Sequence, residues 1–201
     1  MTLLRELPGR FFAVDLYRPY LDELHRKALE AGLAHHLAVI EADMARLPFP
    51  EGSFDLIWSE GAIYNVGFRR GLELWRPLLR PRGCLAVTDA VYLVPQPDRE
   101  VRTFWNENYP TMTTVEENLK AIAAAGYRPL GHFVLPQGDW ENYYGPLEAR
   151  LEALAASHEG DEGMEAVIAI EREEIALWKR WGGQYGYAFF VMTREESEPK
   201  A

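Results

Sequence analysis

The chain has 201 residues, 48% of them hydrophobic and 12% aromatic, with a formal charge of −10. That length and apolar content suit one α/β domain with a sizeable core and exclude a disordered chain. The acidic balance argues against a grip on nucleic-acid phosphates. No window reaches the ~18 apolar residues of a membrane span, and the N-terminus carries no signal-peptide pattern. A single cysteine, Cys84, excludes an internal disulfide or a cysteine metal cluster, and a reducing cytoplasm is the expected location.

In chain order, Leu3–Leu7 reads as the tail of a helix closed by Pro8-Gly9. Phe11–Val14 is a buried strand ending in Asp15, and Pro19–Ala31 is a helix with Leu21, Leu24 and Ala28 on one face and Gly32 as its stop. Leu37–Ala42 is a second strand, followed by Asp43, and Phe54–Ser59 a third, followed by Glu60. A helix is expected over Gly67–Leu79, bent at Pro77, and Pro81-Arg82-Gly83 turns into the strand Cys84–Thr88. Helices follow at Asp98–Asn106 and Val115–Ala125, the second opened by a capping box of Thr113 or Thr114 with Glu116 or Glu117. Tyr127–Leu135 is the sixth strand. A helical insertion at about residues 137–184 contains helices Leu147–Ala156 and Met164–Trp181, before a last strand Gly186–Met192 and a charged tail Arg194–Ala201. Alternating strands and helices predict one α/β domain over residues 1–201, with a mainly parallel, Rossmann-like sheet covered on both faces.

In an open parallel sheet, ligands bind at the carboxyl ends of the strands. Asp15, followed by Leu16, stands where an acid accepts two hydrogen bonds from ribose hydroxyls. Asp43 is placed to accept from an adenine amino group, with Met44 offering a backbone N–H and an apolar side chain to the ring. The competing role for each aspartate is to cap a turn.

Val14-Asp15-Leu16, Glu41-Ala42-Asp43-Met44, Leu47-Pro48-Phe49, Phe54-Asp55-Leu56-Ile57-Trp58 and Leu79-Arg80-Pro81-Arg82-Gly83 resemble the class I S-adenosylmethionine (SAM) methyltransferases of the ubiquinone/menaquinone-biosynthesis type. Ser59-Glu60-Gly61-Ala62-Ile63-Tyr64-Asn65-Val66-Gly67-Phe68 is similar to a bacterial subgroup that acts on small molecules. The resemblance covers about residues 3–193. It implies SAM as cofactor, with Asp15, Leu16, Asp43, Met44, Ser59, Glu60, Gly61 and Ala62 around it, and a last strand antiparallel to the rest.

The resemblance also implies a glycine-rich loop, with the strand that carries it, about a helix length before Asp15. Only fourteen residues precede Asp15, and Gly9 is the sole glycine among them. The first expectation is that the sequence is an N-terminally shortened version of a longer gene. The others are that the strands flanking the missing one close up or pair across a homodimer, or that the protein is a degenerate relative.

Methyl transfer from a sulfonium is governed largely by alignment, and a base is needed only when the nucleophile carries a proton. Glu60 and Tyr64 are the catalytic candidates. Tyr64, Asn65, His132, Trp140, Tyr143 and Tyr144 are candidates for contact with a small-molecule acceptor; the aromatic trio would either wall the acceptor, suiting an amine through cation–π contact, or pack the helical insertion, and the competing role for His132 is a core or rim position. On Met164–Trp181, the residues Val167, Ile170, Leu177, Trp178 and Trp181 share a face with Glu174, which is expected at a salt-bridged rim position, the alternative being that it points into the cleft. No metal-ligand spacing is present. The expected function is SAM-dependent methyl transfer. The alternatives are a non-catalytic relative acting as a binding module and, more weakly, an NAD-dependent Rossmann enzyme.

Overall fold

The computed structural model describes residues 1–195; the part of the expected tail from residue 196 onward lies outside the described residues. The chain divides into two compact units, Met1–Pro50 and the part from Glu51 onward.

The first unit contains α1 (Thr2–Glu6), β1 (Phe11–Asp15), α2 (Arg18–Glu30) and β2 (Leu37–Glu41). β1 and β2 pair in parallel from Phe11↔Leu37 to Asp15↔Glu41, so both chains emerge at the same end. Pro19 sits in the first turn of α2, where its missing N–H leaves no bond unmade. Leu21 and Ala28, two turns apart, are the buried residues of that helix.

The second unit runs β3 (Phe54–Ser59), α3 (Phe68–Trp75), β4 (Leu79–Tyr92), α4 (Arg99–Asn108), β5 (Thr113–Thr114), α5 (Val115–Ala124), β6 (Tyr127–Val134), α6 (Gln137–Ser157), α7 (Glu162–Trp181) and β7 (Tyr185–Arg194). Its sheet has the order β3-β4-β7-β6, with β5 beside the end of β4. β3 and β5 run parallel to β4, whereas β7 is antiparallel to both β4 and β6. The reversed last strand is therefore present as expected. Among the described residues β1 pairs with β2 alone and β3 with β4 alone.

Alternation of side chains gives this sheet two covered faces. Phe68 of α3 meets Phe190 on one face, with ring centroids 5.4 Å apart. Trp105 of α4 meets Tyr185 on the other at 5.2 Å. Leu72, Leu79, Val87, Val91 and Phe190 are fully buried.

Four expectations are corrected. α3 does not continue to Leu79 with a bend; it ends at Trp75, because Pro77 has no N–H to carry the ladder on. The turn at Pro81-Arg82-Gly83 lies inside β4 rather than before it. Between the pairs Phe54↔Leu79 and Leu56↔Cys84 the register shifts, and Arg82 takes up φ 65° in the bulge. β4 then continues to Tyr92 because β7 pairs with it as far as Tyr185. α6 starts at Gln137, ten residues before the expected Leu147, and so carries the aromatic trio. Trp140 and Tyr144, one turn apart, stack at 5.3 Å and are buried, which offsets the poor helix propensity of Gly138, Gly145 and Pro146. On α7, Val167 and Ile170 are exposed, and Ile168 and Ile175 instead join Leu177 in the core. Those two belong to the neighbouring stripe with Met164 and Trp178, which packs with Leu147, Leu151 and Leu154 of α6.

Candidate functional site

In the first unit, Asp15 is the last residue of β1, and Asp43 stands two residues past the end of the adjacent parallel β2. The two acids share one local geometry. Asp15 Oδ1 accepts from the Tyr17 N–H at 2.7 Å, and Asp43 Oδ1 accepts from the Ala45 N–H at 2.8 Å. Each is an Asx turn, which fixes the direction in which the chain leaves the strand. The turn-capping role is thus real, and each bond occupies only one of two carboxylate oxygens. The Ala42 N–H donates to the Asp15 carbonyl at 3.1 Å, which holds the chain beyond β2 beside the end of β1. Leu16 follows the first acid and is 68% exposed. Half-buried Met44 follows the second. Two carboxylate acceptors and two apolar side chains thus flank the ends of β1 and β2.

In the second unit, β3 delivers Ser59 to the carboxyl end of its sheet. The Ser59 hydroxyl is buried and has no hydrogen-bond partner among the described residues. The Gly61 N–H donates to Thr88 Oγ1 of β4 at 2.7 Å, and Gly61 has φ +56°, a conformation glycine adopts without a Cβ penalty. Glu60 is exposed, and its Oε1 accepts from Trp58 Nε1 at 2.6 Å. Ala62 leads into a 3-10 turn, Ile63–Asn65, whose Ala62 carbonyl accepts from Asn65 Nδ2 at 3.0 Å. Ile63 is fully buried beneath this turn, while Tyr64 stands 43% exposed above it, 6.2 Å from the ring of Tyr109.

The aromatic trio divides. Trp140 and Tyr144 are buried, and Tyr143 is 59% exposed with its ring 5.3 Å from that of Tyr144. Trp140 also meets Tyr187 of β7 at 5.2 Å. His132 is placed apart from them. It is exposed on β6 opposite Phe190, and Phe190 and Tyr187 lie three residues apart on β7 and so on opposite sheet faces.

Glu174 corrects an expectation. Among the described residues it has no ion-pair partner; instead Tyr144 Oη donates to its Oε1 at 2.7 Å. Burial raises its pKa, and the neighbouring Glu171 adds to the rise. Burial also raises the Tyr144 hydroxyl, with the Glu174 charge second.

A fully buried acid escaped the sequence reading. Asp89, 1% exposed on β4, accepts from Tyr109 Oη at 2.9 Å and from Asn118 Nδ2 at 3.0 Å. Burial outweighs these bonds and pushes its pKa up to about 6. A lone acid inside the apolar run Cys84–Tyr92 was the available signal.

A family model described as a methyltransferase domain matches residues 1–83. Over 79 residues the chain is 37% identical to the dimethylglycine N-methyltransferase of Parasynechococcus marenigrum (strain WH8102), which is 38% of this chain and 28% of that protein. Over 134 residues it is 25% identical to a sterol 24-C-methyltransferase of Gibberella zeae, covering 62% of this chain and 35% of that protein. Both matches span only a minor part of those relatives' own length. A SAM-dependent methyltransferase from Geobacter sulfurreducens, solved with S-adenosylhomocysteine, superposes with a TM-score of 0.80 at 18% identity. The superposition covers 96% of this chain and 79% of that one. The chain has the Rossmann-like methyltransferase fold. Among the described residues, no helix is long and apolar enough to cross a membrane.

Proposed function

We propose that this chain takes part in SAM-dependent methyl transfer to a small-molecule acceptor. The observation that carries the reading is the matched pair of strand-end acids, Asp15 and Asp43, within the stretch that fits the methyltransferase-domain family. Asp15 would accept from the ribose hydroxyls. Asp43 would accept from the adenine amino group, with Leu16 and Met44 against the nucleoside's apolar surfaces. Bound SAM would supply a methyl group on a sulfonium, an electrophile that needs alignment more than activation.

In the second unit, the segment Ser59, Glu60, Gly61 and Ala62 leaves the carboxyl end of β3. The Gly61–Thr88 bond and buried Ile63 would hold that segment in place, and Tyr64 and Asn65 would orient the acceptor. Glu60 would accept a proton where the acceptor carries one, with its orientation held by Trp58. The names of the relatives, with dimethylglycine and a sterol as acceptors, support a small molecule over a macromolecule.

The test is a calorimetric titration of this chain with S-adenosylhomocysteine, which needs no acceptor. Binding that weakens by about tenfold or more on replacing Asp15 or Asp43 by asparagine supports the reading, since each carboxylate would lose charge-assisted hydrogen bonds. A folded protein that does not bind, or binding indifferent to both replacements, overturns it.

A further inference from the structure

A buried carboxylate is costly unless a cation or a proton neutralises it. Among the described residues Glu174 has no ion-pair partner, and the neighbouring Glu171 carries a charge of the same sign. What surrounds it is aromatic. Tyr144 donates to it at 2.7 Å. The hydroxyls of Tyr143, Tyr185 and Tyr187 are raised by burial and also feel its charge. The rings are spaced closely: Tyr143–Tyr144 5.3 Å, Tyr144–Trp178 5.2 Å and Trp140–Tyr187 5.2 Å between centroids. The polar inventory is also incomplete. Tyr185 Oη and Trp178 Nε1 are buried with no hydrogen-bond partner among the described residues.

The group is accessible and linked to the segment after β3. Tyr143 is 59% exposed. The Tyr64 hydroxyl of the 3-10 turn lies near enough to those of Tyr143 and Tyr187 to disfavour their ionisation if it were itself ionised. On α7, exposed Ile170 lies one turn before Glu174 on the same stripe, so an apolar surface leads to the acid.

We propose that Glu174, with Tyr143, Tyr144 and Tyr187 around it, binds a cationic ammonium group of the methyl acceptor. This rests on the methyl-transfer reading and names its substrate class. An ammonium supplies the countercharge that the carboxylate lacks and is attracted to the face of exposed Tyr143. A neutral molecule of the same shape supplies neither.

The experiment uses the whole chain and two probes, choline and its uncharged carbon isostere 3,3-dimethylbutan-1-ol, titrated with S-adenosylhomocysteine present. The expected result is choline binding at least about tenfold tighter than the isostere, a preference lost in Glu174→Gln and reduced in Tyr143→Leu. Glu174→Gln keeps an acceptor for Tyr144, so the fold is preserved, and binding of S-adenosylhomocysteine stays unchanged. Equal binding of the two probes, or binding of neither, while S-adenosylhomocysteine still binds, overturns the ammonium site and leaves methyl transfer standing. A folded protein that ignores S-adenosylhomocysteine overturns methyl transfer, and the acceptor assignment with it.

Discussion

Tyr144 and Glu174, thirty positions apart on α6 and α7, are joined by a 2.7 Å hydrogen bond in which the phenol donates to the carboxylate. The bond ties the two helices at a half-buried acid that has no ion-pair partner among the described residues. Tyr144→Phe removes the donor and is expected to cost about 1–3 kcal/mol, because it leaves a half-buried acceptor unsatisfied. Glu174→Gln keeps an acceptor and removes the charge, so it is expected to lie within about 1 kcal/mol of the parent or above it. Urea denaturation midpoints of the two variants check the contrast. Equal losses would show that the charge is not under strain.

Asp89 makes stability depend on pH. Its pKa rises in the folded state from the ordinary 3.8 to about 6, chiefly through burial. The folded protein therefore holds a proton that the unfolded chain releases. The associated stability is fully present below 3.8 and is lost as pH rises through about 6. Asp89→Asn removes this dependence and leaves any cost of re-orienting the Asn118 amide independent of pH. Relative to the parent, the variant should gain on the order of 2–3 kcal/mol between pH 3.5 and pH 7.5. Denaturation midpoints of both proteins at the two pH values measure it.

Asp15 and Asp43 separate turn from ligand. Asparagine can make the same Asx turn through its carbonyl oxygen. Asp15→Asn and Asp43→Asn should each leave the thermal midpoint within about 2 °C of the parent, as expected for near-neutral surface changes. Both should nevertheless weaken S-adenosylhomocysteine. If melting temperature and affinity fall together, the acids serve the turns and not a ligand.

Gly71 of α3 is held to glycine by proximity. A Cβ there would lie 2.7 Å from Cγ1 and 2.8 Å from Cδ1 of Ile63, which is fully buried. Helix propensity alone would favour Gly71→Ala by about 1 kcal/mol. The collision with a packed residue is expected to reverse the sign, with a net loss of about 1–2 kcal/mol. The displaced Ile63 would carry Tyr64 and Asn65 with it. Acceptor affinity should fall more than S-adenosylhomocysteine affinity, which parallel titrations would resolve.

Much of the architecture was legible in local patterns. The stretch Phe54–Ser59 reads as a strand and forms one with those bounds, and Thr114 caps α5 by accepting from the Glu117 N–H at 3.3 Å. Where the reading failed, long-range contacts overrode local preference. Gly138, Gly145 and Pro146 argue against a helix, yet α6 runs through them because its aromatic face is buried against β7 and α7. Val167 and Ile170 fit a helical stripe, but periodicity does not say how far along the stripe a neighbouring helix extends. The candidate site was legible in the same uneven way. Acids after strands mark Asp15 and Asp43 without reference to any other part of the chain.

The sequence by itself determined the alternation of strands and helices, the acids at the strand ends and the turn chemistry around them, because these depend on residues within a turn or two. Only the tertiary structure decided that Asp89 meets Tyr109 and Asn118, that Glu174 meets Tyr144 rather than a cation, and that His132 faces away from Tyr187. The reason is desolvation: the state of a buried charge is set by partners twenty to thirty residues distant, and those partners are chosen by packing.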